Sequence, residues 1–199
     1  MSHIHRYFII NKPYNMVSQF ISSDKVGLLG DLDFDFPKDT HAIGRLDNHS
    51  EGLLLLTTNK KVTRLLFLDK EPHKRVYLVQ VNNILSTENL EKLRTGVSIR
   101  IKGGENYTTP PCEVELVEEP EKLYRTAFTK NEHGKHTWLL ITLTEGKFRQ
   151  VRKMMASVRH RCKRLIRISI EDLQLGYLEP GHVKEIGEKE FFERLKIKY

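Results

Sequence analysis

The order of hydrophobic and polar positions predicts many short strands and few helices. A strand buried on both faces is a continuous apolar run, whereas a half-buried strand alternates apolar and polar residues. These patterns predict strands at residues 7–11, 53–57, 76–81, 97–101, 113–117 and 138–143, and a half-buried strand at residues 166–170. Many strands with few, scattered helices favour an α+β fold around a mixed, largely antiparallel sheet.

Three helices are predicted from capping residues and apolar spacing. Asn59 and Ser86 are residue types that accept hydrogen bonds from the first N–H groups of a helix, so each is expected to begin one. Gly96 is expected to end the second helix, because glycine readily adopts the left-handed conformation found there. The third helix is predicted over residues 150–160, from apolar residues three and four positions apart: Val151, Met154, Met155 and Val158.

Length and cysteine usage predict a cytoplasmic protein with a substantial core. The 199 residues are enough for one large domain or two small lobes, and no apolar run approaches the length of a membrane span. The N-terminal residues do not resemble a secretory leader. Cys112 and Cys162 are too far apart to form a CxxC pair, and the nine histidines show no ligand spacing. Neither a disulfide framework nor a metal site is therefore expected.

The positive charge is concentrated in one C-terminal segment. The chain has 33 Lys and Arg and 26 Asp and Glu, a net charge of +7. Residues 145–167 contain nine of the basic residues and one acid, so the rest of the chain carries a net charge of −1. Such a local excess favours contact with a polyanion. A helix with a solvated basic face is the alternative that charge alone leaves open.

One polar segment stands directly before the most apolar strand. Residues 41–52 place Arg45, Asp47, Ser50 and Glu51 between two glycines, and such loops often carry reactive groups. Arg45 and Asp47 are two positions apart, so both side chains would point the same way on an extended stretch. A nearby cation favours an ionised aspartate, which could act as a nucleophile or base. A plain polar turn, in which the aspartate and serine bond their own backbone, explains the spacing equally well.

A second segment whose residues could bind a ligand or take part in a reaction is Thr144–Met154, in sequence TEGKFRQVRKM. A glycine-containing turn leads into a predicted helix whose first turn is basic, and the helix N-terminus adds a positive partial charge. This arrangement suits a phosphate group. It could equally allow an arginine to reach a buried carboxylate.

Four stretches together resemble the RsuA/RluB/E/F family of ribosomal-RNA pseudouridine synthases. In chain order they are Lys12-Pro13, GRLDNHSEGLLLLT at residues 44–57, KRVYLVQV at 74–81, and EGKFRQVRKM at 145–154 with LIRISI at 165–170. The resemblance extends over residues 7–186 and is greatest to the E-type, large-subunit branch. Most other members begin with an S4 RNA-binding domain, which we do not expect in this chain.

The resemblance implies the pseudouridine synthase catalytic fold and an isomerase that needs no cofactor. Asp47 corresponds to the family's aspartate, which either attacks C1′ of the target uridine or removes its 2′-proton to give a glycal. Tyr77 corresponds to the aromatic residue that stacks on the target base, and Arg152 to the basic residue that pairs with the aspartate. Core packing for Tyr77 and a solvated side chain for Arg152 are the alternatives that the residues alone would favour.

The resemblance also implies RNA contacts. Arg45 matches the arginine that helps to extrude the target nucleotide, a step that costs a few kcal/mol in stacking energy. Leu165 or Ile166 would supply the apolar floor of the base pocket. The candidates for phosphate contacts are Lys147, Arg149, Lys153, Arg159, Arg161, Lys163 and Arg164. Lys147, Phe148 and Lys153 depart from the residues more usual in the family, which affects RNA contacts and not the catalytic assignment.

Two other functions are compatible with parts of the pattern. The first is a non-catalytic RNA-binding or ribosome-assembly protein with the same fold, for which Asp47, Tyr77 and Arg152 would not be needed. The second is an enzyme acting on phosphorylated small molecules, which the absence of a Walker or GxGxxG motif argues against. We expect a monomer with ribosomal RNA, large-subunit RNA above all, as its partner. The role of the charged insert at residues 118–135 stays open.

Overall fold

The computed structural model describes residues 5–67, 72–118, 120 and 134–198. The chain divides into two compact units, which we call the first unit (Met1–Arg75 and Ile166–Tyr199) and the second unit (Val76–Leu165). The assignment of residues 1–199 to a single catalytic domain stays a prediction. Most of the charged insert at residues 118–135 lies outside the described residues.

Strands predominate in the described part of the chain. In chain order they are β1 Tyr7–Lys12, β2 His41–Ile43, β3 Glu51–Thr57, β4 Arg75–Asn82, β5 Ser98–Arg100, β6 Asn106–Thr108, β7 Glu113–Val117, β8 His136–Leu143, β9 Cys162–Ile170, β10 Leu173–Gln174 and β11 Val183–Ile186. The α-helices are α1 Val62–Phe67, α2 Thr87–Thr95, α3 Gln150–Ser157 and α4 Glu188–Leu195, and a 3-10 turn covers Leu29–Asp31.

The first unit contains strands in the order β11-β1-β3-β9, with β2 also paired to β3 and β10 to β9. The pairs β1–β11, β1–β3, β2–β3 and β10–β9 are antiparallel. The β3–β9 pair is parallel, with Glu51 opposite Ile166 and Gly52 opposite Arg167. The sheet is therefore mixed and largely antiparallel, and the α+β prediction is confirmed.

The centre of the first unit is buried on both faces of the sheet. All six residues of β1 and all seven of β3 are buried, and the continuous apolar run had predicted this for residues 53–57. Successive side chains of a strand point to opposite faces, and each face is covered by aromatic rings. The ring of Tyr7 lies 4.7 Å from that of Phe191 on α4, while Phe8 lies 5.5 Å from Phe34 and 6.0 Å from Phe36.

The second unit packs helices α2 and α3 with strands in the order β4-β8-β7 and with the separate antiparallel pair β5–β6. One apolar cluster joins Val79 on β4, Ile141 on β8, Leu93 on α2 and Met154 on α3. Both ends of α2 are as predicted. The Ser86 hydroxyl accepts a hydrogen bond from the Asn89 amide, and Gly96 follows the helix with φ of +116°.

Two predicted elements differ from the structure. Strand β9 begins earlier than predicted, and its polar positions are not exposed, because Arg167 is 3% and Ser169 8% exposed beside the buried Ile166 and Ile170. The predicted helix over residues 150–160 ends at Ser157. There Arg159 adopts a left-handed conformation (φ +63°), and His160 N–H donates to the Met155 carbonyl at 2.9 Å. This is a Schellman-type end, with arginine in the position that glycine usually holds.

The helices within the described ranges are all too short or too polar to cross a membrane.

Candidate functional site

Asp47 lies in the loop that joins β2 to β3, in the first unit. The loop leaves β2 through Gly44, whose φ is +72°, and a Cβ there would lie 2.7 Å from the Phe67 ring. It closes into β3 with a turn in which the Ser50 amide donates to the Asp47 carbonyl at 2.9 Å. Asp47 is half-buried and Arg45 is exposed. The loop thus presents a carboxylate directly before β3, a strand that is buried along its whole length.

The residue before Asp47 is held on both sides of its backbone by one side chain. Ser18, which is buried, accepts a hydrogen bond from the Leu46 amide at 3.0 Å and donates one to the Leu46 carbonyl at 3.0 Å. This pair of bonds fixes the peptide units on either side of Leu46. Sequence reasoning missed Ser18, because its partner is 28 residues away and belongs to no shared motif.

The residue after Asp47 is contacted by a buried lysine. Lys12 ends β1 and has no exposed surface. Its ammonium donates to the carbonyls of Pro13 at 2.8 Å and Met16 at 2.6 Å, and more weakly to that of Asn48 at 3.4 Å. The ammonium therefore links the start of the chain to the loop that carries Asp47.

The Lys12 ammonium belongs to a group of charged side chains beneath this loop. Burial lowers the pKa of Lys12 from 10.5 to about 7, since desolvation disfavours the charged form. The negative charges of Glu51 and Asp47 oppose this fall in pKa, and the positive charge of Arg167 adds to it. Glu51 and Arg167 are themselves only 4% and 3% exposed. Lys12 and the carboxylates thus influence one another electrostatically in a site with little solvent.

The close approach of β3 to β9 depends on Gly52. Its φ is +95°, and a Cβ there would lie 2.3 Å from the backbone oxygen of Arg167. The Arg167 side chain also contacts β3, because its Nε donates to the Leu53 carbonyl at 2.8 Å. Ile166, a base-pocket candidate, is 2% exposed and pairs with Glu51. Ile166 therefore lies beside the end of the Asp47 loop.

The backbone of this loop forms a turn, but the Ser50 side chain does not bond that backbone as a simple polar turn would require. The turn between Asp47 and Ser50 exists, but the buried Oγ of Ser50 has no hydrogen-bond partner among the residues that the structure describes. The buried Oδ1 of Asn48 has none within the same residues. Polar atoms buried without partners are rare in folded proteins, and both belong to residues that closely follow the candidate catalytic carboxylate.

Three further site candidates lie in the second unit. Tyr77 is half-buried on β4, Arg152 is half-buried on α3, and Leu165 is 5% exposed on β9. The Arg152 guanidinium donates a weak hydrogen bond to the Cys162 carbonyl at 3.4 Å. Burial raises the pKa of the Cys162 thiol to about 11, although the positive charges of Arg152 and Arg149 oppose the rise in pKa.

All seven phosphate-contact candidates belong to the second unit. Lys147, Arg149, Arg159 and Arg161 are exposed, whereas Lys153, Lys163 and Arg164 are half-buried. The Arg164 guanidinium lies 6.0 Å from the centre of the Trp138 ring. Their roles in RNA binding stay predictions.

The turn before α3 is held by a chain of hydrogen bonds that the sequence did not reveal. Glu145 accepts from the Tyr107 hydroxyl at 2.5 Å through one carboxylate oxygen and from the Gln150 amide at 2.6 Å through the other. Gln150, which is buried, accepts in turn from the Lys147 backbone at 2.8 Å. The hydrogen bond to Glu145 raises the pKa of Tyr107 above its ordinary value. The turn is thereby fixed with Phe148 at its exposed tip.

The structure places Asp47, Arg45 and Ile166 in the first unit and Tyr77, Arg152 and Leu165 in the second. The meeting of these groups at one reaction centre stays a prediction. Among residues 5–67, 72–118, 120 and 134–198, no group of three or more His, Cys, Asp or Glu side chains could hold a metal ion.

Comparison with known proteins agrees with the resemblance of the four stretches. Residues 6–157 match the RNA pseudouridylate synthase family. The chain is 39% identical to ribosomal large subunit pseudouridine synthase E of Vibrio parahaemolyticus, over 91% of this chain and 74% of the relative. It is 33% identical to the synthase of the same name from Xanthomonas axonopodis, over 86% of this chain and 89% of the relative.

A solved structure agrees at the level of the fold. A crystal structure of a pseudouridylate synthase superimposes with a TM-score of 0.77 and 26% identity, over 96% of this chain and 74% of that one. The family match covers more than half of the chain, and the mixed α+β architecture is shared over nearly all of it. The chain therefore belongs to the RNA pseudouridylate synthase family.

Proposed function

We propose that this protein converts a uridine of large-subunit ribosomal RNA to pseudouridine, with Asp47 as the catalytic carboxylate. The choice of substrate is supported by the 39% identity, over 91% of the chain, to a synthase named for the large ribosomal subunit. The four stretches of the family pattern stand in order along the chain, and all but residues 165–170 lie within residues 6–157, the part that matches the family. The local excess of positive charge at residues 145–167 suits an RNA substrate.

The proposed reaction breaks the N1–C1′ bond of the uridine and forms a C5–C1′ bond. The proton lost from C5 is balanced by the proton gained at N1, so the product is an isomer and no cofactor is required. Asp47 would act at the sugar, either as a nucleophile at C1′ or as the base that removes the 2′-proton. Tyr77 would hold the base by stacking and Arg152 would keep the aspartate ionised.

The geometry of the Asp47 loop supports this role. A catalytic group is effective when its position is fixed before substrate binds. The backbone on the two sides of Asp47 is held by Ser18 at Leu46 and by Lys12 at Asn48. Arg45, two residues before Asp47, is exposed and available to contact the RNA backbone as the target nucleotide leaves its stack.

We further propose that the protein acts as a monomer in the cytoplasm.

The test is to map new pseudouridines in unmodified large-subunit rRNA transcript by carbodiimide treatment and reverse transcription. The wild-type protein should produce one new stop, and Asp47→Asn should produce none while still binding the transcript. Asp39→Asn is the matched control, because Asp39 is exposed and its left-handed backbone (φ +68°) suits asparagine. This control should modify the RNA like the wild type.

Each other outcome changes the proposal in a defined way. A stop that survives Asp47→Asn would overturn the catalytic role of Asp47. A stop found only with small-subunit RNA would replace the substrate. Binding without modification of either RNA would favour the non-catalytic RNA-binding function.

A further inference from the structure

Phe148 is an exposed aromatic residue in a protein that buries several of its other phenylalanines. It is 66% exposed, whereas Phe8 and Phe191 have no exposed surface and Phe192 is 6% exposed. Exposed apolar residues are common in folded proteins, so exposure alone indicates no function. The surroundings of the ring make Phe148 different from a chance surface residue.

The backbone that carries Phe148 is fixed by buried and paired polar groups. The hydrogen bonds from Tyr107 and Gln150 to Glu145, and from the Lys147 backbone to Gln150, hold both sides of the turn. Arg149, directly after Phe148, is the residue before α3 and adopts φ of +54°, a conformation that a residue with a side chain enters at some cost. The backbone of the turn is thus fixed at a position where the Phe148 ring is exposed to solvent.

Cations accompany the aromatic rings of this turn. The Lys153 ammonium lies 5.3 Å from the centre of the Phe148 ring, and it also donates to the Arg100 carbonyl at 2.6 Å. The Lys147 ammonium lies 4.9 Å from the centre of the Tyr107 ring. Both lysines can still offer N–H groups to phosphate oxygens, because an ammonium has three donors.

An exposed aromatic ring on a fixed backbone, among lysines and arginines, is an arrangement that binds unpaired nucleotides. The ring stacks on the face of a base while the cations contact the adjoining phosphates. We propose that Phe148 is a stacking site for an unpaired base of the RNA substrate, distinct from the target uridine. Lys147, Arg149 and Lys153 bind the backbone beside that base. The inference rests on the proposed function, because it takes RNA to be the ligand.

The first experiment measures binding of single-stranded RNA and of a blunt RNA duplex to the protein and its Phe148 variants. Phe148→Ala should weaken binding of a single-stranded dodecamer by about 5- to 150-fold, the range found when a stacking side chain is removed. Binding of the duplex should change little, since its bases are already stacked. Phe148→Leu should behave like Phe148→Ala, and Phe148→Tyr should restore binding. Ile84→Ala is the matched control, because Ile84 is 63% exposed in the same unit and lies outside the basic segment.

The second experiment detects stacking directly. The chain has one tryptophan, Trp138, which is 5% exposed, so Phe148→Trp adds a second indole at an exposed position. Its fluorescence should be quenched when single-stranded RNA binds, whereas the wild-type emission should change little. Turnover on the rRNA transcript should show a raised KM for Phe148→Ala, with a smaller effect on kcat.

The outcomes separate this inference from the proposed function. Equal binding of single-stranded RNA by Phe148→Ala and wild type, or full binding by Phe148→Leu, would overturn the stacking site. A changed sedimentation coefficient for Phe148→Ala with unchanged RNA binding would assign the ring to a protein contact instead. Failure of the wild type to form pseudouridine would overturn the proposed function alone, since the binding and fluorescence measurements need no turnover.

Discussion

The buried ammonium of Lys12 lies 3.4 Å from the carbonyl oxygen of Asn48, the residue that follows Asp47. This contact joins the end of β1 to the loop that presents the candidate catalytic carboxylate. It also places a positive charge where water has little access, since Lys12 has no exposed surface. The folded protein consequently binds the Lys12 proton less tightly than an unfolded chain does.

The first prediction concerns the pH dependence of stability. The pKa of Lys12 falls from 10.5 to about 7 on folding because of burial. Between these values the unfolded chain holds more protons, so the contribution of Lys12 to stability should rise with pH, by at most about 1.4 kcal/mol per pH unit. Urea unfolding of the wild type and of Lys12→Met at pH 7, 8, 9 and 10 measures it. The free energy of unfolding of the wild type, measured relative to that of Lys12→Met, should increase as pH increases.

A difference between wild type and Lys12→Met that does not change over this range would contradict the depressed pKa. Lys60→Met, which removes a lysine from an exposed position, is the control for loss of charge. Other titrating groups are common to all three proteins and cancel in the comparison.

The second prediction concerns Gly52. Gly52→Ala should destabilise the fold by about 3 kcal/mol or more, because its Cβ would lie 2.3 Å from the Arg167 backbone oxygen, which cannot move without displacing β9. Gly103→Ala is a matched control with the same φ of +95° and no atom within 4 Å of its Cβ. That substitution retains only the conformational strain, about 1 to 2 kcal/mol. Chemical denaturation of both variants compares them, and equal losses would show that backbone strain, not the clash, makes glycine necessary at position 52.

Features of the fold that arise from neighbouring residues could be predicted from the sequence. Ser86 and Gly96 bound α2 as expected, and the Asn59 side chain accepts from the Lys61 amide at 3.1 Å just before α1. Capping needs only groups within a few positions, so the sequence contains the whole signal. The run at residues 53–56 predicted a fully buried strand for the same reason.

Features that depend on distant partners could not be predicted. Arg167 holds a polar position of an alternating strand and was expected to be exposed, yet it is 3% exposed and donates to the carbonyl of Leu53, which is 114 positions away. The end of α3 was missed because Arg159 holds a position where glycine is the usual signal. The candidate site followed the same rule: Asp47 could be proposed from a local motif, whereas Ser18, which bonds the Leu46 backbone beside it, could not.

The third prediction concerns thiol reactivity. Burial raises the pKa of both Cys112 and Cys162 to about 11, so at pH 8 only about 0.1% of each thiol would be ionised. Both should react with maleimide far more slowly in the folded protein than in 6 M urea. Mass spectrometry over time measures this rate. Fast alkylation of either cysteine in the folded protein would contradict the raised pKa of that thiol and show that solvent reaches it.

The last prediction concerns the salt dependence of RNA binding. Each lysine or arginine that neutralises a phosphate of single-stranded RNA contributes about 0.7 to the slope of log K against log salt. If Arg161 and Lys163 contact phosphates, the double variant Arg161→Gln/Lys163→Gln should lower that slope by about 1.4 and weaken binding equally for RNAs of different sequence. Titrations between 50 and 300 mM KCl measure it. Lys189→Gln is the control, because Lys189 is 88% exposed on α4 and 3.8 Å from Glu193. An unchanged slope in the double variant would remove both residues from the RNA interface, and an equal loss in the control would assign the effect to net charge, not to local contacts.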